Sequence, residues 1–180
     1  RNFKLLACII YLFIFGKRIN YFTFNSLEAT RFGKKIFGSK ARFIPNAINR
    51  DLSDKCKNKS QIVEFLYLGR FEKQKNIKNL LKASYLLRSR GYKFKLTLVG
   101  EGSLVDVIKA FTAKNDLAEV IKIKPYSSNV FNYLAKADAL LLTSYYEGFP
   151  NVLLEALSQS TFLICTPFRS GARELVTAHR

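Results

Sequence analysis

Apolar stretches alternate with amphipathic ones over the second half of the chain, and this order predicts a layered α/β fold. Five apolar runs have the composition of buried strands, at 62–68, 94–99, 120–123, 139–143 and 162–165. Between them, apolar residues recur at helical spacing over 80–88 and 104–111, and 151–157 forms a short apolar helix. Strands that alternate with helices in this way form a parallel, doubly wound sheet.

The first third of the chain carries a weaker pattern. A short aromatic-rich strand is predicted at 20–24, followed by a helix that Ser26 caps and that ends near Phe37. The apolar run 5–15 is shorter than the about 20 residues a helix needs to cross a bilayer, which favours a buried or surface-lying helix. Residues 45–60 are polar and lack apolar periodicity, so we place a domain boundary there.

Composition fits a folded protein of one main domain and excludes several kinds of chemistry. The 180 residues are 48% hydrophobic, enough to bury a substantial core. The three cysteines, Cys8, Cys56 and Cys165, are odd in number and far apart, which favours a reducing, cytosolic setting over disulfides or a zinc site. The single histidine, His179, leaves little material for histidine metal sites or a Ser-His-Asp triad.

The net charge of +17 is concentrated in the first third of the chain, where 1–60 hold 13 basic and 3 acidic residues. Such a balance attracts phosphates, nucleic acid or an anionic membrane surface. A lysine-rich, solvated surface explains the same composition without any ligand.

In a doubly wound sheet, ligands bind beyond the carboxyl ends of the strands, and two candidate loops stand there. The strand at 62–68 is followed by Gly69 and by two cations, Arg70 and Lys75, which suit a diphosphate. A solvated basic loop is the plainer interpretation of these residues. The strand at 94–99 is followed by Gly100-Glu-Gly102, where the backbone must turn sharply or approach a neighbour closely. The third glycine of the dinucleotide fingerprint is missing.

The most specific stretch, 144–157, follows the strand at 139–143. Gly148 would allow a tight turn and Pro150 fits a first helical turn, so that the N–H groups of Asn151 and Val152 point towards an anion.

Glu147 and Glu155 lie eight positions apart in this stretch. One carboxylate can face a sugar while the other accepts hydrogen bonds from ribose hydroxyls. The structural alternative makes Glu155 only an acid of the helix N-terminus.

Four segments, in order and at sensible spacing, give the chain a family resemblance: Ile44-Pro-Asn46-Ala-Ile, Gly69-Arg70 with Lys75, Gly100-Glu-Gly102, and 147–156. With these segments the chain resembles the retaining family-4 glycosyltransferases (glycosyl transferases group 1), whose GT-B fold has two Rossmann-like domains facing across a cleft. The resemblance implies that 61–180 form a nucleotide-sugar donor-binding domain, incomplete at its C-terminus. Residues 45–60 would be the interdomain connection, and 1–44 a remnant of the N-terminal, acceptor-side domain.

The resemblance also implies roles for single residues. Arg70 and Lys75 would hold the donor diphosphate and, with Glu147 on the transferred sugar, form the catalytic set. Glu155 would bind the ribose, and Lys124-Pro125-Tyr126 would flank the base. The remaining donor-binding positions are Gly69, Gly100, Gly148, Phe149, Pro150, Asn151 and Val152.

The implied substrate is a UDP-sugar or GDP-sugar, with a glycan or lipid-linked acceptor and no metal. Two fixed cations can replace Mg²⁺ at the diphosphate, and no Asp-x-Asp motif is present. The expected setting is cytoplasmic synthesis of cell-surface polysaccharide or lipopolysaccharide, with peripheral contact to the inner face of an anionic membrane and no specific nucleic acid. We expect the fragment alone to be inactive, because catalysis needs both walls of the cleft.

Three positions depart from the family pattern. Asn76 and Ser160 stand where glycine is common, and Phe162 where proline is common, while Ser170-Gly171 and Arg173-Glu174 keep the pattern. Two other functions stay open. A basic nucleic-acid-binding module explains the charge but not the Glu147 to Glu155 stretch, and a nucleotide-sugar epimerase shares the two-domain fold.

Overall fold

The computed structural model describes residues 18–48 and 61–167. The apolar run 5–15, most of the predicted connection 45–60, and the motif around 170–174 lie outside the described residues, as do Cys8, Cys56 and His179. The chain divides into two compact units, Arg1–Asn46 and Ala47–Arg180. Within the described part of the chain, no helix has the length and apolarity needed to cross a membrane.

The first unit is a small β-α-β arrangement. Strand β1 (Phe22–Phe24) and strand β2 (Ala41–Phe43) pair in parallel, and helix α1 (Leu27–Phe37) connects them. The predicted cap is confirmed, since the Ser26 hydroxyl oxygen accepts a hydrogen bond from the Ala29 amide at 3.2 Å.

The second unit contains the predicted doubly wound sheet, which is confirmed. Its strands have the order β5-β4-β3-β6-β7, and every neighbouring pair is parallel. The elements are β3 (Val63–Leu68), α2 (Ile77–Ser89), β4 (Phe94–Val99), α3 (Val105–Lys114), β5 (Ile121–Lys124), α4 (Val130–Lys136), β6 (Ala139–Leu142), α5 (Asn151–Ser158) and β7 (Phe162–Cys165). Helix α4 and strand β2 were not predicted.

The centre of the sheet is buried on both faces, as expected for a parallel sheet covered by helices, whereas the edge strand β5, with the sequence IKIK, alternates apolar and charged residues. Side chains alternate along β3, so Tyr67 joins the core on one face while Leu66 and Leu68 join the core on the other. The first core includes Leu80, Leu81 and Ile108 from α2 and α3. The second includes Leu134, Leu153 and Ala156 from α4 and α5.

The strand order reverses at β3, which has β4 on one side and β6 on the other. The chain therefore leaves β3 and β6, which are neighbours in the sheet, towards opposite faces. Open α/β sheets bind their ligands at the carboxyl edge, next to such a reversal of strand order.

The turn after β4 presses against the loop after β3. The Phe71 amide donates to the Glu101 carbonyl at 2.7 Å, and the Leu104 amide donates to the Phe71 carbonyl at 2.9 Å. A Cβ on Gly100 would overlap the carbonyl oxygen of Gly69, and a Cβ on Gly102 would overlap the backbone of Phe71. The close approach expected at these glycines is therefore an approach of the chain to itself.

Replacing Gly100 by alanine should destabilise the second unit. Its φ of +154° disfavours other residues, and the added methyl group would push against the Gly69 carbonyl. Strain and overpacking together predict a loss of about 2–4 kcal/mol, measured by urea unfolding followed by circular dichroism.

Gly148→Ala is the matched control, because a Cβ there meets nothing within 4 Å. It should change stability by less than about 0.5 kcal/mol. Equal stabilities for the two variants would contradict the proposed clash.

Candidate nucleotide-sugar site

A cavity of about 620 Å³ lies at the carboxyl ends of β3, β4 and β5. Its volume is in the range that small-molecule sites occupy, about 300–1,000 Å³. Helices α4 and α5 close it with residues from their first turns and from the middle of α5. Six predicted site residues line this cavity: Gly69, Arg70, Gly100, Tyr126, Val152 and Glu155. Glu101, Ser127, Ser128 and Val130 also line it and were not predicted.

Arg70 lines this cavity from the loop after β3, and a hydrogen bond from a residue of β3 holds the backbone of that loop. The hydroxyl of Tyr67, a fully buried residue, donates to the Arg70 carbonyl at 2.9 Å. Burial, with the nearby Glu147 carboxylate, raises the pKa of Tyr67 well above its ordinary value of 10.0, so this hydroxyl stays protonated and keeps donating. The Arg70 side chain itself is exposed.

Lys75 and Glu147 form an ion pair next to the cavity. The Lys75 Nζ lies 2.6 Å from the Glu147 Oε1, and the two side chains are only 16% and 9% exposed. The Ser144 hydroxyl donates to the same carboxylate oxygen at 2.6 Å. The Lys75 Cε is 3.9 Å from the position that a Cβ on Gly69 would take, which places the pair beside the cavity wall.

Backbone contacts tie together the loops that carry this ion pair. The Thr143 hydroxyl donates to the Lys75 carbonyl at 2.9 Å. The Tyr145 amide donates to the Gln74 carbonyl at 2.9 Å, and the Gln74 side-chain amide donates to the Tyr146 carbonyl at 2.8 Å. The loops after β3 and β6 are therefore hydrogen-bonded to each other.

Glu155 lies in the middle of α5 rather than in its first turn, which contains no acidic residue. This position does not support the alternative that it serves as an acid of the helix N-terminus. The side chain lines the cavity, and burial raises the pKa of its carboxyl.

The start of α5 differs in detail from the prediction. Pro150 is the residue before the helix rather than its first residue. The chain bends at Gly148, but the bend does not require glycine, because its φ is not positive and a Cβ there would meet open space.

Six further predicted positions do not line the cavity: Lys124, Pro125, Gly148, Phe149, Pro150 and Asn151. Lys124 contributes its carbonyl, which accepts from the Gly100 amide at 3.1 Å. No role was predicted for Tyr67, Gln74, Thr143 or Ser144, which hold the loops of the site. The signal for Ser144 and Thr143 was their place at the carboxyl end of β6. Tyr67 lies within an apolar strand, where the sequence does not distinguish it from residues that only pack in the core.

Two departures from the family pattern have a backbone explanation. Asn76 and Ser160 both have positive φ, at 54° and 48°. Glycine is favoured in this left-handed region, and asparagine is among the residues that tolerate it best. The side-chain oxygen of Asn76, Oδ1, is buried and accepts no hydrogen bond from any of the described residues.

Fold and site together define a doubly wound α/β domain with a small-molecule cavity, where Arg70 can bind phosphate oxygens and Glu155 can accept hydrogen bonds from hydroxyls. The chain belongs to the glycosyl transferases group 1 family, whose sequence profile matches residues 49–180, more than half of the chain. This match does not favour the nucleic-acid-binding or epimerase alternatives.

Relatives of this chain include two bacterial glycosyltransferases. The chain is 37% identical over 110 residues to the N-acetylgalactosamine-N,N'-diacetylbacillosaminyl-diphospho-undecaprenol 4-alpha-N-acetylgalactosaminyltransferase of Campylobacter jejuni, covering 61% of this chain and 29% of that protein. It is 34% identical over 118 residues to the lipopolysaccharide 1,6-galactosyltransferase of Salmonella typhimurium, covering 62% and 32%. The chain thus spans about a third of the length of these relatives.

Solved structures show the same fold. A variant of S. aureus TarM in complex with fondaparinux, alpha-GlcNAc-glycerol and UDP superposes with a TM-score of 0.77 at 20% identity. The superposition covers 89% of this chain and 32% of that one. The parallel five-stranded sheet is therefore that of the GT-B glycosyltransferases.

The carboxyl groups of Glu155 and Glu72 should affect stability with opposite pH dependence. The raised pKa of Glu155 favours the folded state below the ordinary value of 4.5, and this advantage is lost as pH rises through the raised pKa. Hydrogen bonds from the Ser103 amide and hydroxyl lower the pKa of Glu72, so its contribution is present above 4.5 and is lost as pH falls through the lowered pKa.

Melting temperatures of Glu155→Gln and Glu72→Gln, measured relative to the wild type between pH 3.5 and 7.5, test this expectation. With rising pH, Glu155→Gln should gain stability relative to the wild type and Glu72→Gln should lose it. Parallel curves for the two variants would contradict the assigned environments.

Proposed function

We propose that this chain provides the donor-binding wall of a retaining family-4 glycosyltransferase. The complete enzyme would transfer a sugar from a UDP-sugar or GDP-sugar to a glycan or lipid-linked acceptor. One observation carries the proposal: Arg70 and Glu155, distant in sequence, line the same cavity at the switch point of the sheet. A guanidinium suits the diphosphate, and a carboxylate suits the ribose hydroxyls.

The remaining residues of the site take roles that follow from this placement. Lys75 would add charge at the diphosphate as the glycosidic bond breaks, when negative charge on the leaving group grows. Glu147 would accept hydrogen bonds from hydroxyls of the transferred sugar. The ring of Tyr126 is exposed and on the cavity wall, where it can pack against the base. With Arg70 and Lys75 as fixed cations, we propose that no metal is needed at the diphosphate.

The biological setting that we propose is cytoplasmic synthesis of cell-surface polysaccharide or lipopolysaccharide. The names of the Campylobacter and Salmonella relatives support it. Contact with an anionic membrane surface stays a prediction, which rests on the net charge of +17.

The chain should bind UDP or GDP saturably, and Arg70→Ala should weaken this binding by roughly 10- to 150-fold, since a charge-assisted hydrogen bond contributes roughly 1.5–3 kcal/mol. Isothermal titration calorimetry on nucleic-acid-free protein measures it. The matched control is Arg88→Ala, which removes the same charge from helix α2, where Arg88 is exposed and 4.0 Å from Glu119.

The same titrations at rising salt separate a diphosphate site from a polyanion surface. Two phosphates release few counterions, whereas a nucleic acid loses affinity by orders of magnitude between about 50 and 200 mM salt. A protein that ignores UDP and GDP but binds RNA with steep salt dependence would contradict the donor site.

Glu155→Gln should weaken UDP or GDP binding by about 1.5–3 kcal/mol, because an amide replaces the charged acceptor of the ribose hydroxyls. Calorimetry at pH 7.5 measures the loss. Glu119→Gln is the control, since its side chain is 88% exposed and does not line the cavity. Full affinity in Glu155→Gln would remove the ribose role.

A further inference from the structure

The ammonium group of Lys75 has a charged partner within the candidate site. It lies 2.6 Å from the Glu147 carboxylate, and both side chains are largely buried. A diphosphate that takes Lys75 must therefore draw it away from Glu147, or share it. The following inference rests on the proposed donor site, because it assumes that a diphosphate reaches Lys75.

Losing Lys75 would leave the Glu147 carboxylate in an unfavourable state. Its side chain is only 9% exposed, and a buried charge that loses its partner destabilises a structure strongly. The Ser144 hydroxyl still donates to it at 2.6 Å, but a neutral hydroxyl compensates less than an ammonium. A sugar attached to the diphosphate can supply the missing donors through its own hydroxyls.

We propose that Glu147 competes with the diphosphate for Lys75, so that the site binds a nucleoside diphosphate carrying a sugar in preference to the bare nucleoside diphosphate. A bare nucleoside diphosphate draws Lys75 away from Glu147 and carries no transferred sugar whose hydroxyls could donate to the carboxylate. A nucleotide sugar takes the cation and satisfies the carboxylate with hydroxyl groups. The ion pair is thus a determinant of specificity for the sugar-loaded form.

Neighbouring hydroxyl groups hold Glu147 in place for this role. Ser144 is buried, and its carbonyl accepts from the Thr166 hydroxyl at 2.8 Å. The Thr143 hydroxyl fixes the Lys75 backbone at 2.9 Å. The carboxylate cannot follow Lys75 towards a diphosphate without breaking the Ser144 contact.

The same competition would help the product to leave. After transfer, the nucleoside diphosphate has lost the hydroxyls that satisfied Glu147. The carboxylate then regains Lys75 and weakens the hold on the diphosphate. Donor and product thereby differ in affinity through one ion pair.

Binding constants of UDP and GDP for the full 180-residue chain test the proposal, with UDP-glucose and UDP-galactose as sugar-bearing probes. Glu147→Gln should bind the better of the two bare nucleotides about tenfold more tightly than the wild type, because Lys75 is no longer engaged by a charge. The preference for the sugar-bearing form should fall in the same variant.

A double-mutant cycle with Lys75→Met separates competition from simple repulsion between Glu147 and phosphate. In the Lys75→Met background, Glu147→Gln should not tighten UDP binding. Equal tightening in both backgrounds would overturn the proposal in favour of repulsion. Glu72→Gln measures the general effect of removing one nearby carboxylate. Glu72 interacts electrostatically with Arg70, but its hydrogen bonds come from Ser103. Because salt screens this exposed charge, the variant should change UDP binding less than twofold.

Failure of this inference and failure of the donor site give different results. Binding of UDP or GDP by the wild type with unchanged or weaker affinity in Glu147→Gln would overturn the competition alone. No binding of either nucleotide by wild type and variant would overturn the donor site and the competition with it. Should Glu147→Gln lose the wild-type circular dichroism spectrum, Glu147→Asp takes its place, because its shorter side chain weakens the pair and should also tighten bare UDP.

Discussion

The close packing of two backbone segments, 69–71 and 100–104, is the constraint on which the site depends. The glycines of the second segment leave no side chain between them, and hydrogen bonds from Phe71 and Leu104 join the two. This contact holds the loop that carries Arg70, and it positions Gly69 and Gly100, which line the cavity. A fixed wall matters for binding, because ordering a loose loop on ligand binding would cost affinity.

The overall charge of +17 says little about the site itself, where carboxylates balance the cations. Lys75 is neutralised by Glu147, and Glu72 and Glu155 stand close to the same loops and cavity. Long-range attraction brings polyanions to the surface, but discrimination comes from which buried partners a ligand can replace. The balance of charge within the site therefore favours a ligand with both phosphate and hydroxyl groups over a polyanion.

Sequence patterns predicted the parallel sheet because its central strands are mainly apolar and alternate with helical patterns along the chain. They missed β2, which has three residues with two exposed, and α4, which has seven residues and too few turns for a clear repeat. From the rule that ligands bind beyond the carboxyl ends of strands, we expected Arg70 and Glu155 near one ligand, and both line the same cavity. It could not identify Ser144 or Tyr67, whose importance depends on which atoms meet in three dimensions.

The departure at Asn76 shows why a motif is better understood as a backbone conformation than as a string of letters. Asn76 has left-handed φ and ψ and joins the short 3₁₀ turn Lys73–Lys75 to helix α2. Glycine and asparagine both adopt this left-handed conformation. Asparagine leaves a buried oxygen without a partner, a cost that glycine would avoid. Asn76 thus adopts the left-handed conformation typical of glycine, directly after Lys75, which pairs with Glu147.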